Sequence, residues 1–172
     1  MVSAGTVLAA AARGGRVRSA PDDDAVVVAT HREERSMIYH GIRFTIKPGV
    51  SDEDKEAAFE SLRNQGRRIP SVDSFAVGRD FGGEYEYGAV FAIGDLEGYE
   101  EYMNHPAHLD TDRVGLPLID RLMSFDVTDG LDRELGAKIA EIHRRRYEEQ
   151  PDIAGLVSDL GEYIGSAAPG GS

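Results

Sequence analysis

The chain has 172 residues, 41% of them hydrophobic, which is enough for one core, and 31 acidic against 19 basic side chains give a formal net charge of −12. A field of that sign repels phosphate backbones, which argues against nucleic acid and anionic membrane surfaces as partners. There is no cysteine, so disulfides, thiolate catalysis and zinc–thiolate sites are excluded. No apolar run approaches the length of a bilayer-crossing helix, and the early VLAAAA stretch lacks the basic residue that would make it a signal peptide. A cytoplasmic protein is the expectation.

Residues 1–35 read as a flexible N-terminal extension. Ala, Gly, Ser and Arg dominate, an Asp22-Asp23-Asp24 run follows Pro21, and too little apolar surface is on offer to offset ordering entropy. Within it Ala25–Thr30 is rich in β-branched residues and could add a strand or dock. Order is expected from Met37. Ile38, His40, Ile42, Phe44 and Ile46 alternate with polar or small residues, which is the period of a half-buried strand. His40 therefore points into the same interior as four large apolar side chains, and a buried imidazole needs a partner or a polar cavity.

Lys47-Pro48-Gly49 ends that strand. Ser51 followed by Asp54 resembles a capping box, opening a helix whose inner face carries Ala58, Phe59 and Leu62 and which Gly66 is expected to stop. A second strand presents Phe75 and Val77. After the turn at Asp80–Gly83 a third, Glu84–Ile93, turns Tyr85, Tyr87, Ala89, Phe91 and Ile93 to one face. Asp95 can cap the next helix, on which Leu96, Tyr99, Tyr102 and Met103 recur at three and four.

That helix leads into His105-Pro106-Ala107-His108. Proline cannot continue a helix but suits the first position of a new one, so a break at Asn104–His105 should place His108 on the first turn of a second helix. Two readings follow: His105 caps the break and His108 packs structurally, or an imidazole and the Tyr102 phenol meet at the junction for acid–base work. An interrupted helix then runs through Leu122, and Met123–Thr128 alternates as a fourth strand. The order β-α-β-β-α-β predicts an α+β, ferredoxin-like protomer over residues 36–129. The outer sheet face, with Tyr39, Ala76, Val90 and Ala92, is still apolar and needs a cover, which a second copy would supply as a homodimer. Residues 130–165 read as a C-terminal helical extension. One helix ends in Arg144-Arg145-Arg146, as cations at a helix C-terminus should. A second starts at Pro151 with Ile153, Leu156, Val157, Leu160 and Tyr163 as its stripe. Residues 166–172 read as a disordered tail.

The segment MIYHGIRFTIKPGVSDED, the helix after it, and YMNHPAH together resemble the stress-responsive dimeric α/β-barrel (Dabb) family, and in particular its olivetolic acid cyclase-type members. The resemblance covers roughly Met37–Asp129 and implies a ferredoxin-like protomer in a dimeric α/β barrel. It also implies cofactor-free intramolecular aldol chemistry on a polyketide thioester, in a pocket between sheet and helices. It places the strand-one histidine on His40, the catalytic tyrosine on Tyr102 and the catalytic histidine on His108. A pocket histidine is replaced by Tyr87 and a pocket tyrosine by Leu62, so the pocket-shaping positions differ.

Two functions are therefore expected. The first is a cofactor-independent cyclase- or lyase-type enzyme acting on a small polyketide-like or carbonyl substrate. His108, Tyr102 and His40 would be catalytic, with Tyr87, Leu62, Phe59, Tyr99 and His105 around the substrate. In it Tyr102 would orient His108 or donate to a developing oxyanion. The alternative is a non-catalytic, stress-responsive dimeric ligand-binding protein. Cofactor-free oxygenation of an aromatic polyketide is a weaker reading. No cofactor and no metal is expected, because His-x-x-His across a proline break does not fix a ligand geometry for His105, His108, Asp110 and Asp112.

Overall fold

Ten elements follow one another in the computed structural model, which describes residues 36–169. They are β1 (Ile38–Ile46), α1 (Asp52–Arg68), β2 (Val72–Arg79), β3 (Tyr87–Ile93), α2 (Leu96–Asn104), α3 (Pro106–Gly115), β4 (Ile119–Thr128), α4 (Leu135–Glu149), α5 (Pro151–Ser158) and β5 (Glu162–Gly165). The five strands form one sheet in the order β2-β3-β1-β4-β5. The first four pair antiparallel, giving the ferredoxin-like arrangement, and β5 runs parallel to β4. The Ala25–Thr30 segment lies outside the described residues. Among them, no helix is long and apolar enough to cross a membrane.

Local chemistry sets the element ends. Ser51 accepts the Asp54 amide at 3.1 Å, with Asp52, Glu53 and Asp54 in the first turn of α1 and Arg67 and Arg68 in its last. Charges of these signs oppose the helix dipole at both ends. Asp95 caps α2 by accepting from Gly98 at 2.8 Å. Alternation along β1 buries Ile38, His40 and Phe44 against the helices, while Tyr39 stays 39% exposed on the outer face. On that outer face Val90 and Val127 are exposed too.

Three elements differ from the sequence reading. Gly66 does not stop α1, which continues to Arg68. The Phe75 ring occupies the space a Cβ at Gly66 would fill, 2.1 Å away, so close approach, and not termination, requires glycine here. Strand β4 starts at Ile119, after a 3-10 turn over Leu116–Leu118, because pairing with β1 claims residues whose spacing also suits a helix. In the extension, α5 ends at Ser158, and Tyr163 lies on β5 instead of on a helical stripe. The open edge of β4 offers unpaired backbone groups that a further helical turn would leave bare. Gly165, at φ +115°, then passes the Ser124 carbonyl so closely that no side chain fits. The chain beyond it is also tied down: the Ser166 amide donates to the Ser124 carbonyl and the Ala167 amide to Ser124 Oγ.

Candidate active site

The His105–His108 break sets the geometry of the junction between α2 and α3. His105 Nδ1 accepts the Ala107 amide at 3.1 Å and so acts as the cap of α3, with Pro106 at its first position. His108 follows on that first turn, 6% exposed. Its Nδ1 lies 3.1 Å from the carbonyl oxygen of Tyr102, the last turn of α2. A carbonyl can only accept, so Nδ1 carries the proton and Nε2 of the neutral ring is a lone pair. Asp112, one turn along, places Oδ1 3.7 Å from that Nε2. Burial, the Arg146 guanidinium and then His40 hold His108 well below the usual imidazole range, so the ring is neutral at pH 7.

Tyr102 is fully buried, and its hydroxyl donates to Gln65 Oε1 at 2.8 Å. Its ring packs against the His108 ring at 4.5 Å, tilted by 60°. The hydroxyl thus does not orient His108; the Tyr102 backbone carbonyl does. Burial, reinforced by the Asp112 carboxylate, pushes the phenol well above its ordinary range, so Tyr102 is a neutral donor committed to Gln65.

A second polar chain lies on the other side of Tyr102. His40 Nδ1 is 2.9 Å from Asp126 Oδ1 on the neighbouring strand and 3.2 Å from the Tyr99 hydroxyl, which is 2.9 Å from His143 Nε2. The carboxylate only accepts, so His40 donates from Nδ1, and the Tyr99 hydroxyl donates onward to His143. Burial works against the Asp126 charge, but the hydrogen bond from His40 and the electrostatic attraction between the two groups outweigh it and hold the carboxyl below its ordinary value. Burial, then His40, lowers His143 to about 3.

Between sheet and helices lies a cavity of about 80 Å³. His40, Leu62, Tyr102, His108 and Asp112 line it, with apolar walls from Ile42, Phe44, Leu116 and Leu122. The C-terminal extension adds Arg146, Tyr147, Val157, Tyr163 and Ala167 to its wall. Arg146 is 3% exposed. Its Nε donates to the Met103 carbonyl at 2.8 Å, and Nη2 pairs with Asp112.

The sequence-predicted site thus divides. His40, Leu62, Tyr102 and His108 share the cavity wall. Tyr99 sits behind it, between His40 and His143. Phe59 and Tyr87 pack on each other at 4.8 Å beside Phe44, with the Arg79 guanidinium 5.8 Å from the Tyr87 ring, and line a shallow surface groove instead. His105 is spent on its cap. Sequence reasoning missed His143 and Arg146. The Arg144–Arg146 run reads as a solvated helix end, and Arg144 and Arg145 are that, paired with Glu141, Glu148 and Glu100. The signal was spacing: Ile139, Ile142, His143 and Arg146 form one helical face and are all buried. Among the described residues no group of three or more His, Asp or Glu is placed to hold a metal ion.

A family model described as Stress responsive A/B Barrel Domain matches residues 38–129, a little over half of the chain. No curated protein matches. Among solved structures, the hydroxynitrile lyase of Passiflora edulis superposes with a TM-score of 0.52 at 10% identity, covering 57% of this chain and 97% of that one. A Dabb family protein with a ferredoxin-like fold from Mesorhizobium loti gives 0.49 at 22% identity, covering 54% and 95%. SnoaB, a cofactor-independent oxygenase from Streptomyces nogalater, gives 0.43 at 14%, covering 58% and 95%. The extension that lines one side of the cavity lies outside the matched residues.

Proposed function

The chain belongs to the stress-responsive A/B barrel domain family, and on that frame we propose a cofactor-independent lyase- or cyclase-type enzyme in which His108 acts as the base on a small carbonyl substrate. A shared fold does not carry an activity from one protein to another, so the reading rests on this chain's own residues. The observation that carries it is the His108 ring: its Nδ1 proton is committed to the Tyr102 carbonyl, and the neutral Nε2 lone pair belongs to a cavity-lining side chain. A base needs that protonation state and access to substrate within about 3 Å.

In the lyase direction Nε2 takes the proton of a β-hydroxyl, the carbon–carbon bond opens to a carbonyl, and the electron pair passes to the second fragment as an enolate. The imidazolium, facing the Asp112 carboxylate, then returns its proton to that carbon. Run in reverse, the same steps form the bond as an aldol condensation. Tyr102 holds His108 through its backbone and is a positioning residue. Volume limits the substrate: an apolar cavity of about 150 Å³ holds one benzene, and this one measures about 80 Å³. A few heavy atoms fit, and a long polyketide does not.

The test is deuterium exchange from D2O into the α-carbons of acetone or 2-butanone, followed by proton NMR. Proton abstraction is half of the proposed chemistry. His108→Gln should abolish protein-dependent exchange, and exchange at the wild-type rate in that variant would refute the assignment.

A second reading is favoured by how many of the cavity's polar groups already have partners: a non-catalytic, stress-responsive ligand-binding protein. Saturable ketone binding without exchange would select it. In both readings the protein is a homodimer, supported by the apolar strip of Tyr39, Val90 and Val127 on the outer sheet face. Val127→Asp should then convert a dimer mass to a monomer mass by light scattering.

A further inference from the structure

We propose that Arg146, contributed by the C-terminal extension, is the group that binds the substrate carbonyl oxygen, and that the site is built for a small neutral aldehyde or ketone. The inference rests on His108 being the base.

The need for such a group follows from the base itself. An imidazole in a buried, cation-flanked position is a weak base, and it removes a proton alpha to a carbonyl only when the developing oxyanion is held by a donor. Among the cavity-lining side chains the obvious candidate donors are already engaged. The Tyr102 hydroxyl is given to Gln65, the Thr111 hydroxyl to the Ala107 carbonyl, and the Tyr147 hydroxyl to the Ala167 carbonyl. Arg146 stands apart from these, and from the uncharged Gln65 amide that also lines the cavity, as the one lining guanidinium, whose fixed positive charge suits a developing oxyanion. A guanidinium presents five N–H donors in a fixed fork. Here Nε serves Met103 and Nη2 serves Asp112, while Nη1 has no acceptor among the described residues. Nor is Nη1 one of the occluded polar atoms left without a partner, and Arg146 lines the cavity with His108.

The same contacts choose the ligand's charge. Asp112 neutralises the guanidinium and itself lines the cavity. A carboxylate entering this space would bring a second buried negative charge with no counter-ion. A neutral carbonyl meets an N–H donor on one side and the His108 lone pair on the other. As the α-proton moves to Nε2, the electron pair moves onto the carbonyl oxygen, and Arg146 holds the charge that forms there. Because Arg146 lies beyond the family-matched residues, it is the extension that completes the site.

The experiment uses the full chain with ketone labelled with carbon-13 at the carbonyl, and reads both binding and exchange. Bound ketone should show its carbonyl resonance displaced downfield in the wild type. Arg146→Lys, which keeps a cation for Asp112 but loses the planar fork, should return the resonance toward its free position. It should also lower the kcat of deuterium exchange by about 10²–10³-fold, with KM near the wild-type value. Pyruvate should bind at least about tenfold more weakly than 2-butanone. An undisplaced carbonyl resonance in the wild type overturns the proposal whether or not any variant folds. Exchange that depends on His108 but is unchanged in Arg146→Lys overturns the role of Arg146 and leaves His108 standing. A displaced resonance that Arg146→Lys abolishes, in a protein that exchanges no protons, supports Arg146 and refutes the base. No saturable ketone binding, or pyruvate bound as tightly as butanone, overturns the assignment of the ligand.

Discussion

Tyr102→Phe separates a structural hydroxyl from a chemical one. The substitution deletes a 2.8 Å hydrogen bond between two groups that are each about 1% exposed. Gln65 Oε1 is left buried without a donor, because the cavity wall beside it is mostly apolar. Leaving one buried partner unsatisfied costs about 1–3 kcal/mol, which for a chain of this size lowers Tm by roughly 3–10 °C. Replacing both partners, as Tyr102→Phe with Gln65→Met, should recover most of that loss, since removing a matched polar pair is nearly neutral. Activity should behave differently. The phenol proton points at Gln65 and the backbone carbonyl that holds His108 is untouched, so exchange in Tyr102→Phe should stay within a few-fold of wild type at temperatures where it is folded. Thermal melts on the two single variants and the double variant, with exchange rates on the same samples, make the comparison. A variant with unchanged Tm and exchange reduced a thousandfold would refute the reasoning and restore Tyr102 as a proton donor to substrate.

Other consequences are as direct. His143 has its folded pKa depressed from 6.5 to about 3, so its contribution is full above pH 6.5 and falls away as the pH drops toward 3, on the order of 1.4 kcal/mol per pH unit. His143→Gln, which can still accept from Tyr99, should flatten that acid limb in urea titrations at pH 4–7; an unchanged slope would remove His143 from the linkage. Arg146→Ala leaves Asp112 half-buried without its cation and should cost about 3–5 kcal/mol, measured by chemical denaturation, and pairing it with Asp112→Asn should recover part of it. Gly165→Ala sets a Cβ against the Ser124 carbonyl at a backbone angle disfavoured for L-residues. It should detach β5, seen as faster amide exchange at Ser166 and Ala167.

What could be read from sequence was what local chemistry determines. The alternation through Ile38–Ile46 placed His40 inside, and Pro106 placed His108 on the first turn of a new helix, because proline and period-two burial act over a few residues. What sequence hid was decided between distant segments. Phe75 explains Gly66 only after β2 has packed on α1. Strand β5 exists because β4 had an open edge, whereas Leu160 and Tyr163 taken alone continue a helical stripe. Tyr102 shows both sides: its burial follows from its position on α2, but its hydroxyl's partner, Gln65, lies 37 residues away.

Arg146 shows why a charged run is a poor guide when read as a unit. Three consecutive arginines on a helix point in three directions about 100° apart, so at most one faces the core. Arg144 and Arg145 meet glutamates on the surface, while Arg146 continues the line of Ile139, Ile142 and His143 into the interior. Such a buried cation must be matched, and the match comes from α3: Asp112 lies one turn beyond His108 on the same helix. The helix that carries His108 therefore also carries the carboxylate that pairs with the arginine of the extension. Docking of the extension and alignment of the cavity's polar groups are in this way one event. Changes at the α4–α3 contact should accordingly alter stability and chemistry together, whereas changes at Phe59 or Tyr87, outside the cavity wall, should alter stability alone.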